Sequence, residues 1–335
     1  MSVIPEPRAA ALPVLAPERS ASAMPGKGAR TGWPRRTRRP DPEAQEAAAI
    51  SAADWRRPRV RITTTLLHGM LFLALVVTGL GPLLWMAKSA ITPTRDTLTA
   101  PMALFPNGFA WENLWIAWNE VHVGTYFLNT VFLAIGCWAV QMIVATTAGY
   151  ALSVLRPRYG PLLTSLVLCT LFVPSVVLLV PLYLTVLDPP LLHQSLINTF
   201  WAVWLPSGAS AFNIVLVKKF FDNLPREIFE AAKTDGAGPY RVFWSIVLPM
   251  SKAILGVVSV FAIIASWKDF LWPMLVLPDI EVQPLSVRLP AIETTTDLGV
   301  FIAALAISTL IPVILFLLFQ KTFLNSAGLG GAVKG

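Results

Sequence analysis

An all-α, polytopic membrane protein crossed by six transmembrane helices is the fold class that the sequence predicts, and three observations carry it. Hydrophobic residues make up 55% of the 335 and charged residues only 13%. Mean hydropathy is +0.63. Six apolar stretches follow residue 62, each long enough for the ~20 residues that a helix needs to cross lipid. Soluble domains carry about 25% charged residues, so the chain lies outside their range.

The N-terminal stretch 1–61 holds 9 Pro, 13 Ala and 12 Lys and Arg with no apolar periodicity, which predicts a disordered, basic, cytosolic tail. The run PRRTRR at 34–39 has the arginine content of a targeting peptide, but proline breaks any amphipathic helix there, and no apolar run precedes residue 62 to act as a signal peptide. The spans fall at about 64–88, 126–151, 160–184, 197–217, 252–275 and 299–320. The fourth, INTFWAVWLPSGASAFNIVLV, is the weakest. Its Pro206, Ser207, Gly208, Ser210 and Asn213 are costly against lipid, so their face should look onto protein or a watery pathway. Small residues for close helix packing account for them equally well.

Orientation follows from the cations. Of 26 Lys and Arg, 22 fall in the tail, beside Arg156 and Arg158, within 218–252, or at Lys321 and Lys334; only Lys88, Arg95, Lys268 and Arg288 lie on the other side. Both termini are therefore expected in the cytosol. Three outer loops result, 89–125, 185–196 and 276–298, and the first carries Trp111, Trp115 and Trp118 in the manner of an interfacial helix resting on membrane lipid.

Several chemistries are excluded. Cys137 and Cys169 sit within apolar runs with no paired spacing, and His68, His122 and His193 are scattered, so neither a disulfide nor a metal site is expected. The spans hold essentially one ionisable group away from their ends, His68, too few for a membrane enzyme. The basic charge lies in the tail and in cytosol-type loops, which gives no reason to invoke nucleic acid. No G-x-x-x-x-G-K-[ST] phosphate loop occurs, and the terminal GLGGAVKG lacks its spacing, so the chain is not expected to hydrolyse ATP by itself.

Between the fourth and fifth spans lies EAAKTDGAGPYRVFWSIVLPM, residues 230–250, preceded by FFDNLPREIF. Asp222, Asn223 and Pro225 signal a helix start and Glu227 adds a first-turn acid, predicting a helix over about 225–235. On it Ile228, Ala231, Ala232 and Asp235 share a small or apolar face, while Arg226 and Glu230 stand at pairing distance. Gly236 stops the helix as a left-handed cap and Gly238-Pro239 starts another, giving a helix-turn-helix on the cytosolic surface. An amphipathic helix sealing the bundle is the plainer account of these residues.

The spacing E-A-A, three residues, G, nine residues, I-x-L-P is met by Glu230, Ala231, Ala232, Gly236, Ile246, Leu248 and Pro249. It resembles the signature loop of inner-membrane permease subunits of binding-protein-dependent ABC importers. NTVFLAIGCWAVQMIVATTAGYALSVLRPRYG, INTFWAVWLPSGASAFNIVLVKKFFDNLPREIFEAAKTDGAG, SWKDFLWPMLVL and GLGGAVKG are similar to the carbohydrate-uptake branch, in its maltose-type second permease, and the likeness covers about 62–335. The tail is longer than the family's usual one, and Ala253 stands where proline is common.

The resemblance implies a type I ABC importer permease fold over 62–335, with a coupling helix at about 225–238, in the bacterial inner membrane. It implies an ATP-driven carbohydrate importer in which a separate cytosolic ATPase dimer binds ATP and Mg, leaving no cofactor on this chain. The other partners would be a homologous second permease and an extracytoplasmic sugar-binding protein meeting 276–298. Glu230, Ala231, Ala232, Asp235, Gly236 and Ala237, with Ile246, Leu248 and Pro249, would form the ATPase-coupling surface: the two alanines set docking depth, and Glu230 pairs with a basic residue. The tail after Lys321 would be a second contact; an exposed terminus is the plainer reading. Ser207, Ser210, Asn213 and Trp267 would line the sugar path, together with SWKDF at 266–270, unless Lys268 and Asp269 snorkel at the outer interface. An integral membrane protein that transports nothing, an enzyme or a structural or signalling protein, is the alternative.

Overall fold

The computed structural model describes residues 57–105, 107–190 and 192–328, among which no strand occurs. The expected tail up to residue 56, and Lys334, lie outside them. Helix α1 (Pro58–Ala90) starts inside the stretch expected to be tail, with Pro58 at its first position, where a missing N–H is harmless. The chain divides within α1, at Leu71 and Phe72, into two units, and the geometry below belongs to the second.

Two short helices, α2 (Thr94–Thr99) and α3 (Glu112–Asn119), form part of the predicted first outer loop. Trp111, Trp115 and Trp118 are all exposed on or beside α3, as an interfacial anchor requires. Helix α4 (Val123–Tyr150) continues through a π turn, Ala151–Leu155. Helices α5 (Gly160–Thr170) and α6 (Leu179–Leu187) follow, then α7 (Trp201–Ser207), α8 (Ala211–Asp222) and α9 (Arg226–Thr234). Next come α10 (Pro239–Val242), a second π turn at Phe243–Val247, α11 (Leu248–Met250) and α12 (Lys252–Lys268). The chain ends in α13 (Leu271–Val276), α14 (Leu285–Thr295) and α15 (Leu298–Gly328).

Among the described residues, Pro58–Ala90, Val123–Leu155 and Leu298–Leu315 are each long and apolar enough to cross a membrane unaided. They correspond to the first, second and sixth predicted spans. The third is bent by 102° between Gly160–Thr170 and Ser175–Leu187. Pro174 opens the second arm, and proline disfavours helical backbone in the residue before it. The fifth is preceded by a bend of 80° between Pro239–Met250 and Lys252–Lys268, at Ser251. Helix α12 stops at Lys268, short of the predicted 275. An uninterrupted fourth span is not formed: α7 ends at Ser207, and α8 restarts after Ser210, whose hydroxyl accepts the Asn213 amide at 3.4 Å. Serine competes for backbone hydrogen bonds and favours such a cap over a helix interior.

Helix α4 is the packing axis, flanked by α7, α8 and α12. Small residues set those approaches. A Cβ on Gly149 would meet Val217 at 2.9 Å, and one on Gly208 would meet Val140 at 2.7 Å, so only glycine permits this spacing. Phe72, Leu84 and Phe172 are exposed, the pattern of a surface solvated by lipid.

Candidate functional site

The segment after α8 folds much as its turn chemistry dictates. Helix α9 spans Arg226–Thr234 and starts after Pro225, which offers no side-chain cap. Asp222, expected to help start that helix, is held elsewhere. It accepts from the Ser153 hydroxyl at 2.7 Å and from Lys218 Nζ at 2.8 Å, tying the π turn of α4 to the end of α8. Burial raises the Asp222 carboxyl, but the hydrogen bonds from Lys218 and Ser153 and the charges of Lys218 and Arg156 outweigh burial and hold it below the usual carboxylate range. Arg156 is itself fixed by donating to the Ser153 carbonyl at 2.7 Å.

Helix α9 ends in a Schellman motif. Ala237 N–H reaches Ala232 O at 2.9 Å, Gly236 N–H reaches Lys233 O at 3.0 Å, and Gly236 has φ +72°. The left-handed residue is thus the glycine that the sequence nominates. Pro239 then begins α10 after an extended Gly238.

The nine candidate coupling residues divide between two sides. Glu230, Ala231, Asp235, Gly236 and Pro249 are exposed. Ala232 is only 7% exposed and belongs to a core cluster with Ala145, Tyr150, Ile214, Val217, Phe221 and Val258; Ala237, Ile246 and Leu248 pack against the same cluster. The two alanines expected to set docking depth both line one groove on α9; Ala231 is exposed, while Ala232 also packs on the core beneath. A 100° step per residue sends adjacent side chains to different faces of a short helix.

Two surface grooves flank α9. One, of ≈ 590 Å³, gathers the whole predicted face, Ile228, Ala231, Ala232 and Asp235, with Ala237 and Ile246 and with Glu227, Arg241 and Ser245. The other, of ≈ 210 Å³, is charged, with Arg226, Glu230 and Lys233 facing Arg156 and Asp222. Arg226 and Glu230 do not close the expected ion pair among the described residues; both line this second groove instead.

A third feature lies within the bundle, among α4, α7, α12 and α13. A cavity of ≈ 270 Å³ is lined by Cys137, Gln141, Ser207, Ser266, Asp269 and Trp272, with apolar neighbours. Of the four residues expected along a sugar path, only Ser207 lines it. Ser210 caps α8, and buried Asn213 donates to Gln141 Oε1 at 2.7 Å, acting as that amide's support. Trp267 is 7% exposed, donates to Ser308 O at 3.2 Å and sets its ring edge to Phe127, and it does not line this cavity. Ser266 and Asp269 come from the SWKDF segment; Lys268 is exposed and does not line the cavity. Gln141, Cys137 and Trp272 are absent from the predicted site. The signal for Gln141 was a lone amide in an apolar span, which lipid exposure would penalise.

Comparison with known proteins agrees with the geometry. Residues 141–326 match the family described as binding-protein-dependent transport system inner membrane component. The chain is 32% identical over 290 residues to the probable ABC transporter permease protein YurM of Bacillus subtilis, covering 85% of this chain and 94% of that one. It is 29% identical over 270 residues to the diacetylchitobiose uptake system permease protein NgcG of Streptomyces coelicolor, covering 78% and 87%. A chain in the crystal structure of a bacterial ABC transporter involved in the import of the acidic polysaccharide alginate superposes with a TM-score of 0.68 at 21% identity, covering 79% of this chain and 98% of that one.

Proposed function

Since the chain belongs to the family of binding-protein-dependent transport system inner membrane components, we propose that it is the permease subunit of an ATP-driven carbohydrate importer and that α9 is where the motor grips it. The observation that carries this reading is the two-sided construction of α9. Its inner side is rooted in the core through Ala232 and closed by the Gly236 cap, while its outer side presents Ala231, Glu230 and Asp235 beside open grooves.

A lever that transmits force must be stiff, fastened at one end and shape-matched at the other. Ala231 lets a partner backbone approach closely, and Glu230, in a groove with Arg226 and Lys233, offers a charge for a basic residue of the ATPase. Displacement of α9 passes through Ala232 to the cluster shared by α4, α8 and α12, and along Pro239–Met250 into α12.

In this reading both termini are cytosolic, a cytosolic ATPase dimer carries the ATP and Mg, a homologous permease completes the path, and an extracytoplasmic binding protein delivers the sugar. The carbohydrate assignment is supported by the diacetylchitobiose uptake system permease among the relatives.

The test is capture of the complex in mild detergent followed by assay of binding-protein-stimulated ATP hydrolysis and uptake in proteoliposomes. Ala231→Asp and Gly236→Pro should insert into the membrane at normal levels and lose uptake by at least about tenfold. Normal uptake by Ala231→Asp at normal expression would sink the assignment of α9.

A further inference from the structure

We propose that the cavity among α4, α7, α12 and α13 admits uncharged polyhydroxylated cargo and turns away anionic cargo, and that Asp269 sets this preference. The inference rests on the import reading above and deepens it. The fold does not decide the matter, because a structure of the same fold belongs to an importer of an acidic polysaccharide.

Depth is the first consideration. Cys137 is the fifteenth of the 28 residues of α4. At about 1.5 Å per residue the cavity lies roughly 20 Å along that helix, near the middle of a hydrocarbon layer about 30 Å thick. A carboxylate, an amide and two hydroxyls gathered there are costly unless they face water or a ligand. Gln141 is only 6% exposed and Ser266 8%, yet both line the cavity.

The hydrogen-bonding capacity left over is the second. Ser207 spends its hydroxyl proton on Trp204 O at 2.7 Å, and Ser266 spends its own on Ala262 O at 3.0 Å. Both therefore offer lone pairs. Trp272 Nε1–H is taken by Ala202 O at 3.0 Å, which leaves the indole as an apolar wall. Asp269 accepts from the Trp272 backbone N–H and adds a carboxyl with no ion-pair partner among the described residues; the side-chain donors are the Gln141 amide and the weak Cys137 thiol, which lies against Ser207 and Ser266. The lining is thus rich in acceptors and poor in donors.

Sugar hydroxyls arrive as donors and match such a lining, while the C–H face of a sugar ring suits an indole wall. A phosphate, sulfate or carboxylate brings acceptors only, so it fails on hydrogen bonding as well as on charge. Among the described residues no cation lines the cavity to offset this. Lys268 is exposed and outside the lining, and Arg288 lies over the ring of Tyr126, 5.2 Å from its centroid.

The experiment uses the full complex in membrane vesicles, with Ser207→Cys placed in a Cys137→Ser, Cys169→Ser background. Two methanethiosulfonate reagents of similar size are compared, one bearing trimethylammonium and one bearing sulfonate, each rate corrected for its reaction with a free thiol. A unit negative charge on the wall of the same cavity, in a medium of effective dielectric about 20, predicts that the cationic reagent reacts at least about tenfold faster. Asp269→Asn should bring the ratio close to one, and Asp269→Glu should retain it. Native Cys137 in a Cys169→Ser chain serves as a second reporter.

A ratio near or below one with Asp269 present, or a ratio unchanged by Asp269→Asn, overturns the proposal. So does failure of both reagents to react at either position with and without ATP and vanadate, because the cavity would then lie off the aqueous path. That last result leaves the import reading standing, since ATP-dependent uptake in the same vesicles tests it separately.

Discussion

At the end that the cation count places outside the cell, loops are fastened by neutral groups as well as by charged ones, among them Lys88 on the Ala103 carbonyl and Asp297 on the Thr94 hydroxyl. Asn113 donates to the carbonyls of Ala90 and Thr92 at 3.2 and 3.1 Å, Asn129 donates to those of Glu281 and Gln283, and the Leu285 amide is taken by the Thr130 hydroxyl. At the opposite end the α8–α9 turn is fastened by charge, through Lys218, Asp222 and Arg156 around the Ser153 hydroxyl. Neutral bonds to buried carbonyls ignore salt and pH; a half-exposed ion pair responds to both. The neutral bonds of Asn113, Asn129 and Thr130 therefore hold their part of the outer loops independently of salt and pH, while α9 is anchored by the core around Ala232 and only lightly by charge.

Four substitutions sharpen that contrast. Ala232→Asp places an unpaired carboxylate in the core beneath α9 and should cost about 3–5 kcal/mol, seen as a large drop in unfolding temperature in detergent. Ala231→Asp, one residue away and exposed, should stay within about 0.5 kcal/mol of the parent. Equal losses for the two would show that α9 has no rooted side. Asn113→Ala strands two carbonyls and should cost about 2 kcal/mol, with the loss unchanged between low and high salt. Gly236→Ala forces a side chain into φ +72° and should cost about 1 kcal/mol, with Gly236→Asn milder.

A small effect with a pH signature is the most diagnostic. Asp222 is held below its ordinary range when folded, so its stabilisation is fully present above the unfolded carboxylate value and is lost as pH falls through the lower folded value. Asp222→Asn should cost under about 1 kcal/mol at pH 7 and should flatten the acid limb of proteolysis within 223–239. An unchanged acid limb would remove Asp222 as the inner fastening.

The segment around α9 was highly legible because its signals are local. A proline at the start, glycine at the left-handed position and Gly-Pro at the restart specify α9 to within a residue at each end. Span breaks were less so: an apolar run reports that a segment can be buried, and Pro174 or Ser251 decides where it bends. Facing was illegible at Ala231 and Ala232, since alanine suits a core and a docking surface alike. The Asn213–Gln141 bond joins residues 72 apart in sequence, and nothing local to either announces the other. Trp267 read as a lining residue because tryptophan serves packing and sugar contact equally, and its place outside this cavity is not written in the residue type.

The two π turns stand face to face across the root of α9. Tyr150, the last residue before one, reaches Pro239 O with its hydroxyl at 2.8 Å and sets its ring 5.0 Å from Phe243, the first residue of the other. Each wide turn carries one residue more than an α-helical turn would hold. Letting that residue slip into α register turns everything beyond it by about 100° and advances it by about 1.5 Å without breaking the chain of backbone hydrogen bonds. If α9 and Pro239–Met250 carry force as proposed, this joint moves by a step of fixed size, where a plain helix would offer only bending.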